Sequence, residues 1–443
     1  MKDKNIKWLY EELPGLISKG ILTQETAQEI KKYYGEPEER NWLRIMLAIF
    51  GTLGSILIGS GIILIFAKNW DALSVPARTV LSFTPLIISQ VLGIYVILKK
   101  RDSMAWKEGV STFIILAVGA AISLVGQTYN ISGDRTVFTL TWMLLIAPLV
   151  YIFDAFTPAL FYLIGITFWA GFEQSDGGYA VLYWGLLAIL IPYIIKAFRN
   201  IESNRSVMLL WALSLNLCVS IGIVLEKVLP GLWIVIYSSF FAVLYLLEKA
   251  FINKNHSIDR MPFNVVGTIG ILVVSILLTF RGFWDHVGWL MYRHEARFND
   301  LAGIVDYILV AILLSAAVYL FIRNLKTKNA FTQIFGFAAI LSAICYMAAA
   351  LIQDGSIPVI LYNIYIFALG LSTIVNGIRK KHMGITNGGM LIISALIIVR
   401  FFDTEMSFLL KGLSFIAVGI GFIISNAVLI KKQKEVSLDE KAY

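Results

Sequence analysis

Apolar residues in this chain fall into long, nearly uninterrupted blocks, approximately 44–67, 77–98, 109–127, 136–153, 156–172, 178–195, 207–225, 230–248, 263–280, 302–322, 330–351, 357–376, 384–400 and 409–430. A hydrocarbon core of about 30 Å takes roughly 20 residues of helix to cross. Backbone exposed to lipid has to satisfy its own hydrogen bonds, which rules out open strands there. The blocks therefore predict an all-α, polytopic transmembrane helix bundle of about fourteen spans. Composition excludes the soluble alternative: 58% of the residues are hydrophobic and 15% charged, against roughly 45–50% and 25% in ordinary soluble domains. A soluble enzyme is not expected.

The formal net charge is +8, but the basic residues sit between apolar blocks. One set of connections carries Lys99-Lys100-Arg101, Lys196 with Arg199 and Arg205, Lys249 with Lys254 and Arg260, Arg323 with Lys326, and Arg379-Lys380-Lys381. The intervening connections 173–177 and 352–356 carry no Lys or Arg, and 128–135 carries Arg135 alone. Such alternation follows the positive-inside rule. It places both termini in the cytoplasm and assigns the basic residues to anionic lipid, so the bilayer, with no nucleic acid, is the expected partner.

Five regions follow: a helical hairpin over 1–43, a first transmembrane half over 44–200, linking helices over 201–262, a second half over 263–430, and a tail over 431–443. In the hairpin, Trp8, Leu9, Leu13, Leu16 and Ile17 recur at helical spacing, Gly20 interrupts, and Thr23 offers an N-cap for a second helix. The hairpin serves either a cytoplasmic protein partner or simply packs on the bundle. The segments IILIFAKNWD (62–71) and ILLTFRGFWD (276–285) share Phe66/Phe280, Trp70/Trp284 and Asp71/Asp285, which suggests a parallel duplication of six-helix halves, a feature of many transporters. Small-residue stripes Gly51/Ser55/Gly59 and Ala417/Gly421/Ser425 read as helix-packing faces, and oligomeric state stays open.

Polar residues at span ends gather on the predicted outer side: Trp70 and Asp71; Gln127, Tyr129, Asp134 and Arg135; Glu173 and Asp176; Arg281, Trp284 and Asp285; Gln353 and Asp354; Arg400 and Asp403. Ionisable and polar groups in or beside spans are costly and mark functional candidates. Drawn together they would line an outward vestibule, and Gln127, Tyr129, Asp134, Asp71, Trp70, Trp284, Asp285, Gln353, Arg400 and Asp403 are the candidate substrate-binding residues. Each has a plainer role as well. The tryptophans suit an aromatic belt, the aspartates cap or sit in water, and Arg400 with Asp403 makes a local ion pair. Deeper in the spans, Gln90, Asn216, Asn264, Asn363 and Asn376 need only a helix–helix hydrogen bond.

No phosphate-binding lysine loop, nucleophile elbow, paired-cysteine motif or dinucleotide-binding glycine pattern occurs. The spans lack the series of deep carboxylates or arginines of a proton pump or voltage sensor. Cys218 and Cys345 lie inside apolar blocks as small packing residues. The segment 281–299 reads as an amphipathic interfacial helix; His286, His294 and Glu295 in it lack the spacing of a zinc-binding helix. Neither a metal nor another cofactor is expected, and no catalytic residue is assigned.

Several stretches together carry a family likeness: WLYEELPGLISKGILTQETAQEIKKYYG near the start, AKNWD closing the glycine-rich first block, GQTYNISGD, and the late VRFFD. Their order resembles the predicted bacterial membrane proteins of domain-of-unknown-function family 2157, most strongly through the N-terminal part and first spans. The resemblance implies a bacterial inner-membrane protein with a cytoplasmic N-terminus. It supplies no activity and no site residues.

Three functional expectations remain. The leading one is a transporter-like protein for a small polar or amphiphilic substrate, with a pathway near the outer polar cluster. A second is a non-transporting scaffold or sensor whose hairpin binds a cytoplasmic partner. A third is a membrane-embedded enzyme acting on a lipid-linked substrate, which would need a carboxylate pair drawn from Asp71, Asp134, Glu173 and Asp285.

Overall fold

The computed structural model describes residues 2–34, 70–225, 231–251, 260–285, 287, 301–326 and 330–401, with scattered positions between 407 and 424. The chain divides into two compact units, Met1–Arg78 and Thr79–Tyr443. Among the described residues the structure is helical, with no strand.

In the first unit, α1 (Lys2–Ser18) and α2 (Gln24–Tyr34) form the expected hairpin. Gly20 turns the chain at φ 71°, a left-handed conformation open to glycine at no steric cost. Tyr10 Oη donates to Lys31 O across the pair (3.2 Å). The block 44–67 and its stripe of small residues lie outside the described residues.

The second unit begins within α3 (Val75–Lys99) and continues with α4 (Met104–Thr128), α5 (Arg135–Phe153), α6 (Phe156–Asp176), α7 (Tyr183–Ala188), α8 (Ile191–Arg199), α9 (Asn204–Val224), α10 (Leu232–Phe251), α11 (Pro262–Leu277), α12 (Leu301–Leu325), α13 (Ala330–Gly336), α14 (Ala338–Ile352), α15 (Ser356–Arg379) and α16 (Met383–Phe401). Among the described residues ten stretches are long and apolar enough to cross a membrane, α13 and α14 counting together as one. The predicted block 178–195 is instead a helix pair bent by 51° between Ala188 and Ile191, and would make an eleventh. The block at 263 yields only the shorter α11. The count of fourteen therefore exceeds what the described residues display; blocks 44–67 and, for the most part, 409–430 lie outside them. So do most of the segment 281–299 and the tail. At the start of that segment Arg281–Phe283 forms a short 3-10 turn.

Polar bonds at the helix ends fix how the spans alternate. At one end, both Glu108 carboxylate oxygens accept from the first amides of α6, Phe156 N and Thr157 N (2.8 Å each). There too, Lys196 pairs with Asp154 (2.8 Å), Arg205 donates to Asp154 O (3.1 Å), and Asn264 N donates to Glu248 (2.9 Å) at the start of α11. This end also carries Lys99, Arg199 and Arg379, and we call it the basic end. At the opposite, polar end, Tyr129 bonds Thr79 (2.9 Å), Arg135 pairs with Asp176 (2.5 Å), and Arg400 donates to Thr279 O (2.7 Å). Negative carboxylates sit on helix N-termini, where the unpaired amides and the macrodipole favour them.

Helix α10 is the central one: 72% of its most apolar window is buried inside the protein, against 22% for α3 and 17% for α12. The outer sides of α3 and α12 thus present apolar surface, as lipid-facing helices do. Close helix approach depends on glycine in α11, α15 and α16. A Cβ on Gly267 would stand 2.7 Å from Tyr245 N and 2.8 Å from Phe241 O of α10; one on Gly389 would stand 2.6 Å from Ile374 N. These are backbone-to-backbone contacts of the small-residue kind, on helices whose sequence stripes are less regular than those of the first and last blocks.

Candidate functional site

A groove of about 1210 Å³ opens between α3, α4 and α5 of the second unit. Its stem is apolar, lined by such residues as Leu86, Ile94, Ile114, Leu145 and Phe153. Its polar lining residues are Ser132, Asp134 and Arg135 at the mouth, with Gln127, Ser123, Thr141 and Gln90 below it. Gly93 and Gly126 are among its lining residues; a Cβ at Gly93 would press on Ile114 (3.0 Å), so the glycine lets α3 and α4 approach closely at that level.

The charges at the mouth are largely spoken for. Asp134 is the N-cap of α5, its Oδ1 accepting from Thr136 N (2.8 Å) and Val137 N (3.4 Å), the standard use of an aspartate at that position. Arg135 reaches away to α6. Its Nη2 and Nε donate to Asp176 at 2.5 and 3.3 Å, and its guanidinium stands 4.9 Å over the Phe172 ring. Thr136 Oγ1 adds a bond to Asp176 (3.3 Å). Gln90 and Gln127, by contrast, are exposed to the groove side and their amides make no hydrogen bond in the described structure.

Of the candidate binding residues whose side chains are described, Gln127 and Asp134 line this groove. Tyr129 stands beside its rim, bonded to Thr79. A second polar cluster forms separately. Arg281 reaches Asp285 (3.7 Å) and Asp354 (3.6 Å), and Asp354 caps α15 through Ser356 N and Oγ (3.0 and 2.8 Å). The Ser356 amide and hydroxyl, then the Arg281 charge, hold the Asp354 carboxyl below its usual value. Gln353 is the left-handed C-cap of α14, at φ 58°. Trp284 sits in the core, 2% exposed. Its Nε1 donates to Leu278 O (2.9 Å) and its ring lies 5.8 Å from Tyr362, so it acts as a packing residue and neither a belt residue nor a lining one. Trp70, in the first unit, is likewise buried, with an unbonded Nε1. Arg400 spends its charge on Thr279 O and Oγ1 (2.7 and 2.9 Å) and on the Phe280 ring. Asp403 and the Asp71 side chain lie outside the described residues, as do His286, His294 and Glu295. The carboxylates proposed for an enzyme are tied to their own loops: Asp134 to α5, Asp285 to Arg281, and Glu173 to Tyr179 N (2.8 Å).

The expectation that polar residues deep in spans bond between helices is met at Asn216. Its amide bonds Leu163 O (3.2 Å) and Thr167 Oγ1 (2.9 Å) of α6, and its carbonyl accepts from Tyr183 Oη (3.0 Å). Asn363 instead bonds Val359 O of its own helix (2.7 Å), and the Asn264 amide nitrogen is buried with no partner. Three carboxylates are absent from the sequence candidates and prove structurally prominent: Glu108, Glu248 and Asp306. Glu248 and Asp306 are 4% and 2% exposed inside apolar spans. Their signal is a lone acid within an apolar block. Among the described residues no group of His, Cys, Asp and Glu has metal-binding geometry.

No curated protein and no solved structure matches the chain. Residues 14–159, which include every residue lining the groove, match the model of a family described as predicted membrane protein (DUF2157), and over that segment the likeness carried by the hairpin, AKNWD and GQTYNISGD is a family match.

Proposed function

We propose that this protein is transporter-like and that its substrate is an amphiphile held in the groove between α3, α4 and α5. The observation that carries the reading is the groove's two-part chemistry: an apolar stem that suits a hydrocarbon chain, leading to polar groups at one end. Binding sites are typically concave and mostly apolar, with a few polar groups that fix orientation. A purely polar solute fits less well, because most of the lining would offer it nothing in exchange for its water. The wider frame we infer is fourteen spans in a bacterial inner membrane, both termini cytoplasmic, with the groove mouth outside; the loop charges support it.

The test is movement of a fluorescent amphiphile between leaflets of proteoliposomes. Thr141 is exposed in the middle of the groove, so Thr141→Trp fills it without touching the core. Movement that stops in this variant, with protein level and melting unchanged, supports the proposal; movement at the unaltered rate refutes it. Gln127→Leu serves as a milder second variant. Asp134 is unsuitable, since its loss removes the α5 cap.

A second reading, a scaffold whose hairpin holds a cytoplasmic protein, draws on Trp8, Ile21 and Tyr33, all large and exposed on the first unit. Deleting residues 1–34 would abolish function under that reading and spare amphiphile binding under the first.

A further inference from the structure

The polar groups of the groove differ in kind with depth. Charge is confined to the mouth and is already compensated, Arg135 by Asp176 and Asp134 by the amides of α5. Below the mouth come only uncharged groups, first Gln127, Ser123 and Thr141 and then Gln90. The Thr79–Tyr129 hydrogen bond marks the level of the polar end on α3, and at 1.5 Å per residue Gln90 lies about 16 Å below it. In a core about 30 Å thick that is close to the midplane. Beyond Gln90 the lining is apolar, with Ile94, Ile97, Leu149 and Ile152.

An amide among apolar groove walls is expensive to leave without a hydrogen-bond partner. Gln90 is exposed on its helix and bonded to nothing in the described structure. Leucine would serve as well for packing, so the residue makes sense where a ligand supplies the bond. A charged head group drawn to the same level would meet no counter-charge and would lose its hydration, which costs far more than a hydroxyl or amide does.

Building on the amphiphile reading above, we propose that the head group is uncharged and hydroxyl- or amide-bearing, and that it descends past Gln127 to hydrogen-bond Gln90 near the midplane. The ligand class is a non-ionic amphiphile such as an acylated glycerol or a glycoside with an alkyl tail. The polar series stops at Gln90, so the groove holds the head at mid-depth in this state instead of offering a continuous polar track to the basic end.

The full chain in phosphatidylcholine nanodiscs, where zwitterionic lipid is already in excess, provides the test. Photoactivatable diacylglycerol, alkyl glucoside and phosphatidic acid are added separately at equal mole fraction, and labelled peptides are mapped. Both neutral probes should label α3 and α5 peptides lining the groove, and phosphatidic acid should not. Gln90→Leu should lower neutral labelling about tenfold, the equivalent of one or two lost hydrogen bonds in a membrane, while thermal melting stays unchanged because the residue makes no hydrogen bond among the described residues. Labelling by only one neutral probe identifies the source and upholds the class. Phosphatidic acid labelling the groove as strongly as the neutral probes, or Gln90→Leu labelling like wild type, overturns the uncharged-head assignment and leaves the amphiphile reading standing. Absence of groove labelling by all three probes overturns both.

Discussion

Asn216 offers the sharpest test of how the second unit is held together. It sits on α9 and joins two other elements: α6 through Leu163 O and Thr167 Oγ1, and the bent α7–α8 pair through Tyr183 Oη. Cross-helix hydrogen bonds in membrane proteins average about 0.6 kcal/mol and reach about 1.7 kcal/mol, because the separated helices also find partners. Three such bonds amount to about 2 kcal/mol. Asn216→Ala also leaves the Tyr183 hydroxyl, on a fully buried ring, without its acceptor, which adds about 1 kcal/mol. The expected loss is therefore about 3 kcal/mol. Tyr183→Phe alone removes one bond and should cost about 1 kcal/mol. In Asn216→Ala/Tyr183→Phe the orphaned hydroxyl is gone and the shared bond is lost only once, so the double variant should be less destabilised than the sum of the singles by about 2 kcal/mol. Reversible unfolding in bicelles would measure all four corners of the cycle. Strict additivity would refute the assignment of this bond as an energetic link between α9 and the bent pair.

Three further outcomes follow from named contacts. Glu108→Ala strips both carboxylate bonds from the first amides of α6 and should lower stability by about 2 kcal/mol in the same unfolding assay, with Glu108→Gln recovering part of it; equal stability of Ala variant and wild type would contradict the capping role. Gly267→Val forces a branched side chain against the backbone of α10 at Phe241 and Tyr245 and should cost at least about 2 kcal/mol, seen as a lower melting temperature, whereas Gly282→Ala, with open space around it, should be near neutral. The Asp354 carboxyl is held below its ordinary value of 3.8, chiefly by Ser356 and further by Arg281. Its contribution is therefore present at neutral pH and is lost as pH falls below about 4 through the lowered folded value. The melting difference between wild type and Asp354→Asn should stay constant from pH 8 to 5 and shrink only in stronger acid; a difference already fading between pH 7 and 5 would mean that the bonds are not made.

Legibility in the sequence differed sharply between class and site. The membrane-spanning character, the hairpin with its turn at Gly20, and most span positions were readable because each depends on local quantities: apolar run length, helical spacing and turn residues. The reading of 178–195 as one span missed the bend between Ala188 and Ile191, although its signal is in the sequence: Pro192, in the first turn of α8, has no N–H to return to the Ala188 carbonyl and so breaks the helical ladder there. What sustains it is tertiary: Tyr162 Oη donates to Leu186 O (2.9 Å) and Tyr151 Oη to Ile189 O, so freed carbonyls find partners on neighbouring helices. Trp284 looked like an interfacial residue because burial cannot be read from position at a span end.

By itself, then, the sequence determined a multi-pass helical protein and the polarity of its connections, since hydrophobic matching to a bilayer acts on each segment alone. Only the tertiary structure decided which polar residues meet. It set Arg135 on Asp176, Arg400 against Thr279 and Asp134 on a helix cap, and among the described residues it gives Gln90 and Gln127 no hydrogen-bond partner on one groove. Those choices depend on helix rotation and on contacts between residues tens of positions apart, such as Arg135 with Asp176 and Arg400 with Thr279. Rotation is set by packing against neighbours through residues such as Gly267 and Gly389, and no single span encodes it.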